Sequence, residues 1–542
     1  MNVSNDPNIQ KPEPSNGERH TLSPLTELRL EIPSSTCTTI TLLSGSAEIF
    51  GAELAQSVDL NLSTLKQSYI IPGPAKFAVF TWHGCVLDVD VEFGKSVDIM
   101  YTSEETEANV AYVNTHAQLE AMRDEALMNN LNASNKNVMY DGDGNDTDSL
   151  PRDGPRVLVV GPADSGKTSL VKTLVSYAIK LGRSPMLVDL DPKQNMLSVP
   201  GTLTAATMSL NDSGNNTNVA MLHPVVHATG GLYPGTSPLV QWFGSTDVAK
   251  NPDLYKEQLV KLGQMIDKRN DVPVSNTELD QQQQLEYQHL LDCKASGLIV
   301  NGCGWIEDVG FELMVHAVSA LRIDVILVMG HDRLYSMLQS HFNKLKKQQE
   351  LTMVVDNTPK IIKLPRSGGI VSRDESFRRA TRSLCIRRYF YGQPMRNTSA
   401  PSTGASSSVA ATVCPSASAL IQQYSPQRLE VPFSDLTLYE LSSVSLSASM
   451  LPVSAKQATD AVQLVPFKIT PTLKHSILAV CHPIAVEKYD RTGEARELYL
   501  SGMCGMVAVE KVDMDREILS LLSPGGSLPS NVMLVGDITW MD

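Results

Sequence analysis

No two of the eight cysteines stand as C-x-x-C, and positions 37, 85, 293, 303, 385, 414, 481 and 504 are scattered along 542 residues. That spacing excludes the common zinc patterns and supplies no disulfide framework. Thiols that stay reduced are expected, as in the cytosol or nucleus. No apolar run is long enough to cross a bilayer. The opening stretch MNVSNDPNIQKPEPSNGERH lacks the apolar centre of a secretion signal. A soluble intracellular protein with no membrane partner is therefore expected. Positive charge is in deficit: 45 Lys and Arg stand against 59 Asp and Glu, a formal net charge of −14. Such a chain does not coat nucleic acid by bulk electrostatics, so any contact with RNA needs a local basic patch. No internal repeat is found.

The length exceeds what one hydrophobic core serves. Residues 1–24 are polar and proline-containing, the composition of a disordered tail. Residues 25–128 hold short strand-like runs (LRLEI, TTITLL, YIIPG, KFAVFTWHG, VLDVDVEF) followed by an amphipathic helical stretch over 109–128. Residues 129–154, rich in Asn, Asp and Gly, read as a linker. Residues 155–395 alternate strands with helices, the pattern of a parallel α/β domain, with RVLVV, MLVDL, GLIVN and DVILVM as buried strands. After the first of these, Leu170, Val171, Leu174, Val175 and Ala178 recur at helical period and predict one face packed on the sheet. Residues 396–419 are Ser/Ala/Thr-rich low-complexity sequence. Residues 420–542 turn strand-rich again. The fold class is α/β and multidomain, with β-rich parts on either side of a central parallel sheet.

Between the first α/β strand and its helix stands GPADSGKT, residues 161–168, which matches G-x-x-x-x-G-K-[ST] in the strand–loop–helix context that pattern requires. Gly161 and Gly166 let main-chain N–H groups wrap phosphates at a helix N-terminus. Lys167 reaches the β- and γ-phosphates, and Thr168 offers a hydroxyl to Mg²⁺. The bland alternative is a chance glycine-rich turn, which the flanking elements disfavour. MLVDLDPKQN follows at the next strand end. Asp191 is the better metal-facing carboxylate and Asp189 the runner-up; the competing reading is an acid that caps the turn before Pro192. Trp305, after two glycines in NGCGWIED, reads either as an aromatic platform for a base or as a core tryptophan. The basic stretch 363–392 carries Arg366, Arg373, Arg378, Arg379, Arg382, Arg387 and Arg388. It is either a phosphate-covering lid or a solvated helix face. Arg373 and Arg378, five apart, share no helix face unless a turn separates them.

The segments TELRLE, GSAEIFGAEL, KFAVFTWHGC, GPADSGKTSL, DLDPKQNMLSVPGT, VQWFGST, CGWI, LPRSGGIVSR, IRRYFYG and DITWMD together resemble the polynucleotide 5′-hydroxyl-kinase family. Within that family the resemblance is to the kinase-like subunit of the eukaryotic pre-mRNA cleavage and polyadenylation machinery. It covers most of the chain from Thr26 onward. It implies an N-terminal β-sandwich, a central P-loop domain that binds ATP and Mg²⁺, and a C-terminal β-rich domain. It assigns nucleotide contacts to Glu27 and Lys76, and to Asp164, Ser165, Gly166, Lys167, Thr168 and Ser169 of the phosphate loop. It assigns the metal-side carboxylate to Asp191, substrate contacts to Gln194 and the clasp residue Trp305, and lid roles to Arg373 and Arg378. In an active member Lys167, Asp191, Arg373 and Arg378 are the catalytic set. The resemblance also implies a nuclear protein. Its partners are the cleavage-factor scaffold subunit that binds the RNA polymerase II C-terminal domain, other 3′-end processing subunits and, where the site is active, RNA.

Two departures bear on activity. Active members read Asp-x-Gly-Gln-Gly where this chain reads Asp191-Pro192-Lys193-Gln194-Asn195, and the clasp Thr-x-Gly-Trp is here Gly302-Cys303-Gly304-Trp305. Glycines let a substrate backbone come close, whereas a lysine adds bulk and charge. Fungal-type members, which the resemblance implies are ATP-holding scaffolds without kinase activity, carry comparable changes. The expectation is an ATP-binding cleavage-factor subunit in which ATP is mainly structural; the alternative is an active RNA 5′-hydroxyl kinase. A GTPase switch is disfavoured by the lack of an NKxD-like motif.

Overall fold

The computed structural model describes residues 17–56, 58–60, 63–65, 67–91, 96–136, 153–209, 223–230, 237–271, 281–352, 358–392, 425–443 and 462–541. They fall into two compact units. The smaller runs up to Ile49 and from Glu53 to Glu104, and the larger takes in Phe50–Ala52, Glu105–Pro394 and Ile421–Asp542.

The smaller unit is a β-sandwich. One antiparallel sheet orders its strands Glu18–Leu22, Cys85–Val91, Cys37–Gly45, Ser68–Pro72. The other contains Ile99–Ser103, Thr26–Ile32, Ala75–Thr81 and Glu48–Ile49. Alternation sets the core: Leu28, Leu30, Ile32, Ile40, Leu42, Ile71, Val79 and Leu87 are buried. Glu18–Leu22 is a strand and not part of a disordered tail, a correction to the composition-based boundary at residue 24. Its polar residues pair outward, Arg19 Nε reaching Asp88 at 2.9 Å, while Leu22 is buried against the sheet. Residues 1–16 lie outside the described set.

In the larger unit the helix Glu107–Lys136 runs beyond the expected end at 128 and into the stretch read as linker. Asn is a modest helix former, but packing overrides propensity: the helix lies along helices Lys167–Lys180 and Gln281–Ser296. It buries Asn130 and Arg123, whose Nε donates to Ser296 O at 3.0 Å. The rest of that stretch, 137–152, is outside the described residues, as is the low-complexity segment 396–419.

The central sheet has the order Leu239–Trp242, Thr202–Thr207, Met186–Asp189, Leu298–Asn301, Arg156–Val160, Val325–Met329, Lys360–Leu364. The last five strands pair in parallel, as expected, and the first two are antiparallel. No helix intervenes between Asp189 and Thr202, so the chain lacks the crossover a parallel return requires and folds straight back. Helix Lys167–Lys180 buries Leu170, Val171, Leu174, Val175 and Ala178, the predicted face. Among the described residues no helix is long and apolar enough to cross a membrane.

The C-terminal domain is a seven-stranded sheet: Gln427–Pro432, Ile518–Ser523, Met503–Asp513, Ile477–Cys481, Val532–Val535, Thr437–Ser443, Val462–Pro466. Leu478, Val480, Val507, Leu519, Leu521 and Met533 form its own core. On the opposite face Ile477, Ala479, Cys481, Met506, Ala508 and Leu534 join a core that also contains Leu158, Trp242, Leu313 and Phe390 of the central domain. The strand Ile477–Cys481 is buried on both faces for that reason.

Candidate nucleotide site

The phosphate-loop signature lies at the C-terminal end of the central strand Arg156–Val160, where a ligand binds in open α/β sheets. Gly166 has φ +89°, a conformation that disfavours other residues, and a Cβ there would stand 2.6 Å from Ile370 Cδ1 of the lid loop. Helix Lys167–Lys180 starts directly after it. Lys167 is buried and Nζ donates to Pro162 O at 2.8 Å. Burial pushes its ammonium below the ordinary lysine range, and the Asp191 carboxylate pulls it back up. Ser165 Oγ is buried with no hydrogen-bond partner among the described residues, a donor that a phosphate oxygen suits. Thr168 and Ser169 are half-buried on the first helical turn.

The two acidic candidates separate. Asp189 is fully buried and uses both oxygens internally. Oδ1 accepts from Asn301 Nδ2 at 2.9 Å and from the Asp191 amide at 3.1 Å, and Oδ2 accepts from the Met196 amide at 2.9 Å. Burial, reinforced by Asp191, pushes its carboxyl up to about 7. Asp191 is half-buried, and its Oδ1 accepts from the Lys193 amide at 3.0 Å. Burial raises Asp191 and Lys167 draws it down. Among the described residues no cluster of three or more His, Cys, Asp or Glu side chains gathers.

Asn195 is a buried hub. Nδ2 donates to Thr202 O at 3.0 Å, and Oδ1 accepts from the amides of Leu197 and Ser198 and from Thr204 Oγ1 at 2.9–3.0 Å. Lys193 carries an exposed side chain. Gln194 sits between them; Oε1 accepts a long bond from Arg373 Nη1 at 3.4 Å, and Nε2 is buried without a partner among the described residues.

The basic stretch divides. Arg373 precedes helix Glu375–Tyr391, which Asp374 caps by accepting from the Phe377 amide at 3.0 Å, and Arg378 lies in its first turn. The intervening turn lets the two arginines converge. Arg378 Nη2 donates to Asp164 Oδ2 at 2.6 Å, the Arg373 amide donates to the same oxygen at 3.2 Å, and Arg378 Nε donates to Arg373 O at 3.1 Å. Asp164 takes φ +53°, rare outside glycine, asparagine and aspartate. Arg379 is exposed, Arg382 pairs with Glu375 at 2.5 Å, and Arg388 is buried with Nη1 on Gly230 O at 2.7 Å. Part of the stretch therefore lies against the phosphate loop and part faces solvent.

Trp305 is half-buried, packed over Gly310, whose Cβ would meet the indole at 2.7 Å. Gly304 of the same turn lies against Ala163 of the phosphate loop. An apolar pocket lined by Leu190, Tyr255, Cys303, Trp305, Leu313 and Met314 opens beneath it. The side chain is thus packed at the strand end, with part of it left accessible.

Glu27 and Lys76 belong to the smaller unit and share one face of its sheet. Glu27 pairs with Arg29 at 2.6 Å, and Lys76 with Glu31 at 2.7 Å. Sequence reasoning missed Lys172. It is buried on the phosphate-loop helix with Nζ on His227 O at 2.9 Å, and burial, with Arg373 and Arg388 nearby, pushes it to about 7. Nothing in the helical periodicity marks it, because the helix buries a second face.

Residues 21–126 match the family described as the N-terminal beta-sandwich domain of polyadenylation factor. Residues 161–392 match mRNA cleavage and polyadenylation factor CLP1 P-loop, and residues 424–542 match pre-mRNA cleavage complex II protein Clp1. The chain belongs to the Clp1 family. It is similar to polyribonucleotide 5′-hydroxyl-kinase Clp1 of Danio rerio, 31% identical over 529 residues that span 97% of this chain and 95% of that protein. The Homo sapiens protein of the same name is 31% identical over 520 residues, 95% of each chain. Among solved structures, a wild-type Clp1p–Pcf11p complex has TM-score 0.65 at 21% identity, with 98% of this chain and 99% of that chain covered. A second structure, concerned with an extended Pcf11p–Clp1p interface and with ATP loss in a glycine-to-arginine mutant, has TM-score 0.66 at 21% identity and covers 98% and 100%. These structures share the Clp1 fold.

Proposed function

We propose that this Clp1-family chain is an ATP-binding subunit of a nuclear pre-mRNA cleavage factor, needed for cleavage and polyadenylation, with ATP held mainly as a structural ligand. The observation that carries this reading is the lid closed on the loop: Arg378 and the Arg373 amide both engage Asp164, and Ile370 covers Gly166. A ligand enclosed in this way exchanges slowly and stabilises the fold by mass action. The partner is a Pcf11-type scaffold, by analogy with the solved complexes named above.

The residues fit the ligand. Main-chain amides of 161–166, the orphan Ser165 Oγ and Lys167 suit the phosphates, Thr168 and Asp191 suit Mg²⁺, and Glu27 and Lys76 are assigned to the nucleotide on the family resemblance alone. When bound, Mg·ATP supplies the transferable phosphoryl group and the divalent charge. Lys167 must leave Pro162 O to reach a phosphate. Asp191 would take a proton or steady the metal. Arg373 and Arg378 set positive charge over the loop.

A kinase reading is favoured by one observation: Lys167, Asp191, Arg373 and Arg378 all surround the same loop mouth. Two measurements separate the readings. Mass spectrometry of small molecules released from purified protein should find ATP at near-stoichiometric amounts, and Lys167→Ala should lose it. Phosphorylation of a 5′-hydroxyl RNA should not exceed that of Lys167→Ala. Product that depends on Lys167 would replace the structural reading with the kinase one.

A further inference from the structure

The lid helix Glu375–Tyr391 is held at both ends, by different domains. At its start stand the contacts of Arg373 and Arg378 with Asp164. Midway, Cys385 Sγ lies 3.5 Å from Ser198 O, on the loop after Asp191. At its end, Tyr389 Oη accepts from the Met506 amide at 2.9 Å, and Met506 lies on the C-terminal-domain strand Met503–Asp513. Phe390 is fully buried and stacks on Trp540, with centroids 5.5 Å apart and planes 11° from parallel. Trp540 is itself fixed, its amide donating to His475 O at 2.8 Å. Three residues before it, the Asp537 amide donates to Gly244 O at 2.7 Å.

A helix of this length spans roughly 25 Å at 1.5 Å per residue and bends little. Its base is embedded in the core shared by Ile386, Phe390, Met506, Ile538 and Trp540. Its tip holds a hydrogen bond that vanishes with a displacement of about 1 Å. We propose that the C-terminal domain is the anchor of the lid: Tyr389 and Trp540 are positioning residues that set where Arg373 and Arg378 stand over the phosphate loop. The C-terminal sheet is thereby coupled to nucleotide retention, a role that rests on the nucleotide reading above for its consequence but not for its geometry.

The test uses the full chain with Trp540→Ala, Trp540→Phe and Tyr389→Phe. A control, Leu519→Ala, lies in the core on the far face of the same sheet, a cluster that contains no lid residue. Two quantities are read: hydrogen exchange of the amides from Asp374 to Ala380 in nucleotide-free protein, and the half-life of bound ATP. Trp540→Ala should speed exchange and shorten the half-life about tenfold, the scale of one lost aromatic pair. Trp540→Phe should restore both, and Tyr389→Phe should move both in the same direction by a smaller factor. Leu519→Ala should leave both near wild type despite a lower melting temperature. Wild-type exchange in folded Trp540→Ala and in Tyr389→Phe overturns the anchor, and so does an equal effect from Leu519→Ala. If the wild-type protein retains no ATP, the nucleotide reading fails while the exchange measurement still decides the anchor.

Discussion

Asn195 shows how a family difference changes meaning once its contacts are known. A missing glycine suggests a blocked approach for substrate, but this side chain points inward and ties together four groups of its loop and of the strand that follows. Asn195→Gly should therefore destabilise the protein by about 3 kcal/mol in urea melts, since buried partners lose their bonds together. Lys193→Gly, at an exposed position, should stay within about 0.5 kcal/mol of wild type. Lys193 is thus the position at which a loss of substrate access can be tested without loss of fold. Lys172 makes a second prediction. Its side chain titrates at about 7 when folded and at 10.5 when unfolded. Between those values the unfolded chain binds the extra proton, so folding stability rises with pH across that window. Denaturant midpoints between pH 7 and 10 should climb less steeply in Lys172→Met than in wild type.

At the scale of elements, the parallel strands and the phosphate-loop helix were readable because each carries a strong local signal. RVLVV and GLIVN are continuous β-branched or aliphatic runs, and the helix has a clean apolar face. The antiparallel edge was not readable, because TLTAAT and LVQW look alike in either direction and only the short connection from Asp189 decides. The helix Glu107–Lys136 outran its apolar pattern because its last turns are held by neighbours distant in sequence. The phosphate loop and Asp191 could be picked out from motif and position. The meeting of Arg373 with Arg378 depended on the turn before the lid helix, and Lys172 and Asn195 depended on tertiary burial. Within the loop, Gly166→Ala should cost about 1–2 kcal/mol in thermal melts and abolish ATP retention, because φ +89° strains an alanine and its methyl presses on Ile370.

For the whole molecule, the low-complexity stretch 396–419 is a break in composition but not a break in the core. Central and C-terminal residues share one buried cluster, and Gln241 Nε2 of the central sheet donates to Leu500 O at 2.9 Å. A chain ending at Gly392 should accordingly expose Ile386, Phe390 and Trp242, bind hydrophobic dyes and aggregate. Scanning calorimetry of the full chain should show these two domains melting in one transition. Separate transitions would mean that the shared cluster contributes little. The net charge of −14 leaves the lid as a basic island in an acidic molecule, so any RNA contact should weaken with salt by the slope of only a few phosphates.

The stacking of Phe390 on Trp540 also sets an order of assembly. While the polypeptide is being synthesised, the greasy foot of the lid helix emerges long before its mate. It must wait uncovered, or under a chaperone, until Trp540 has cleared the ribosomal tunnel.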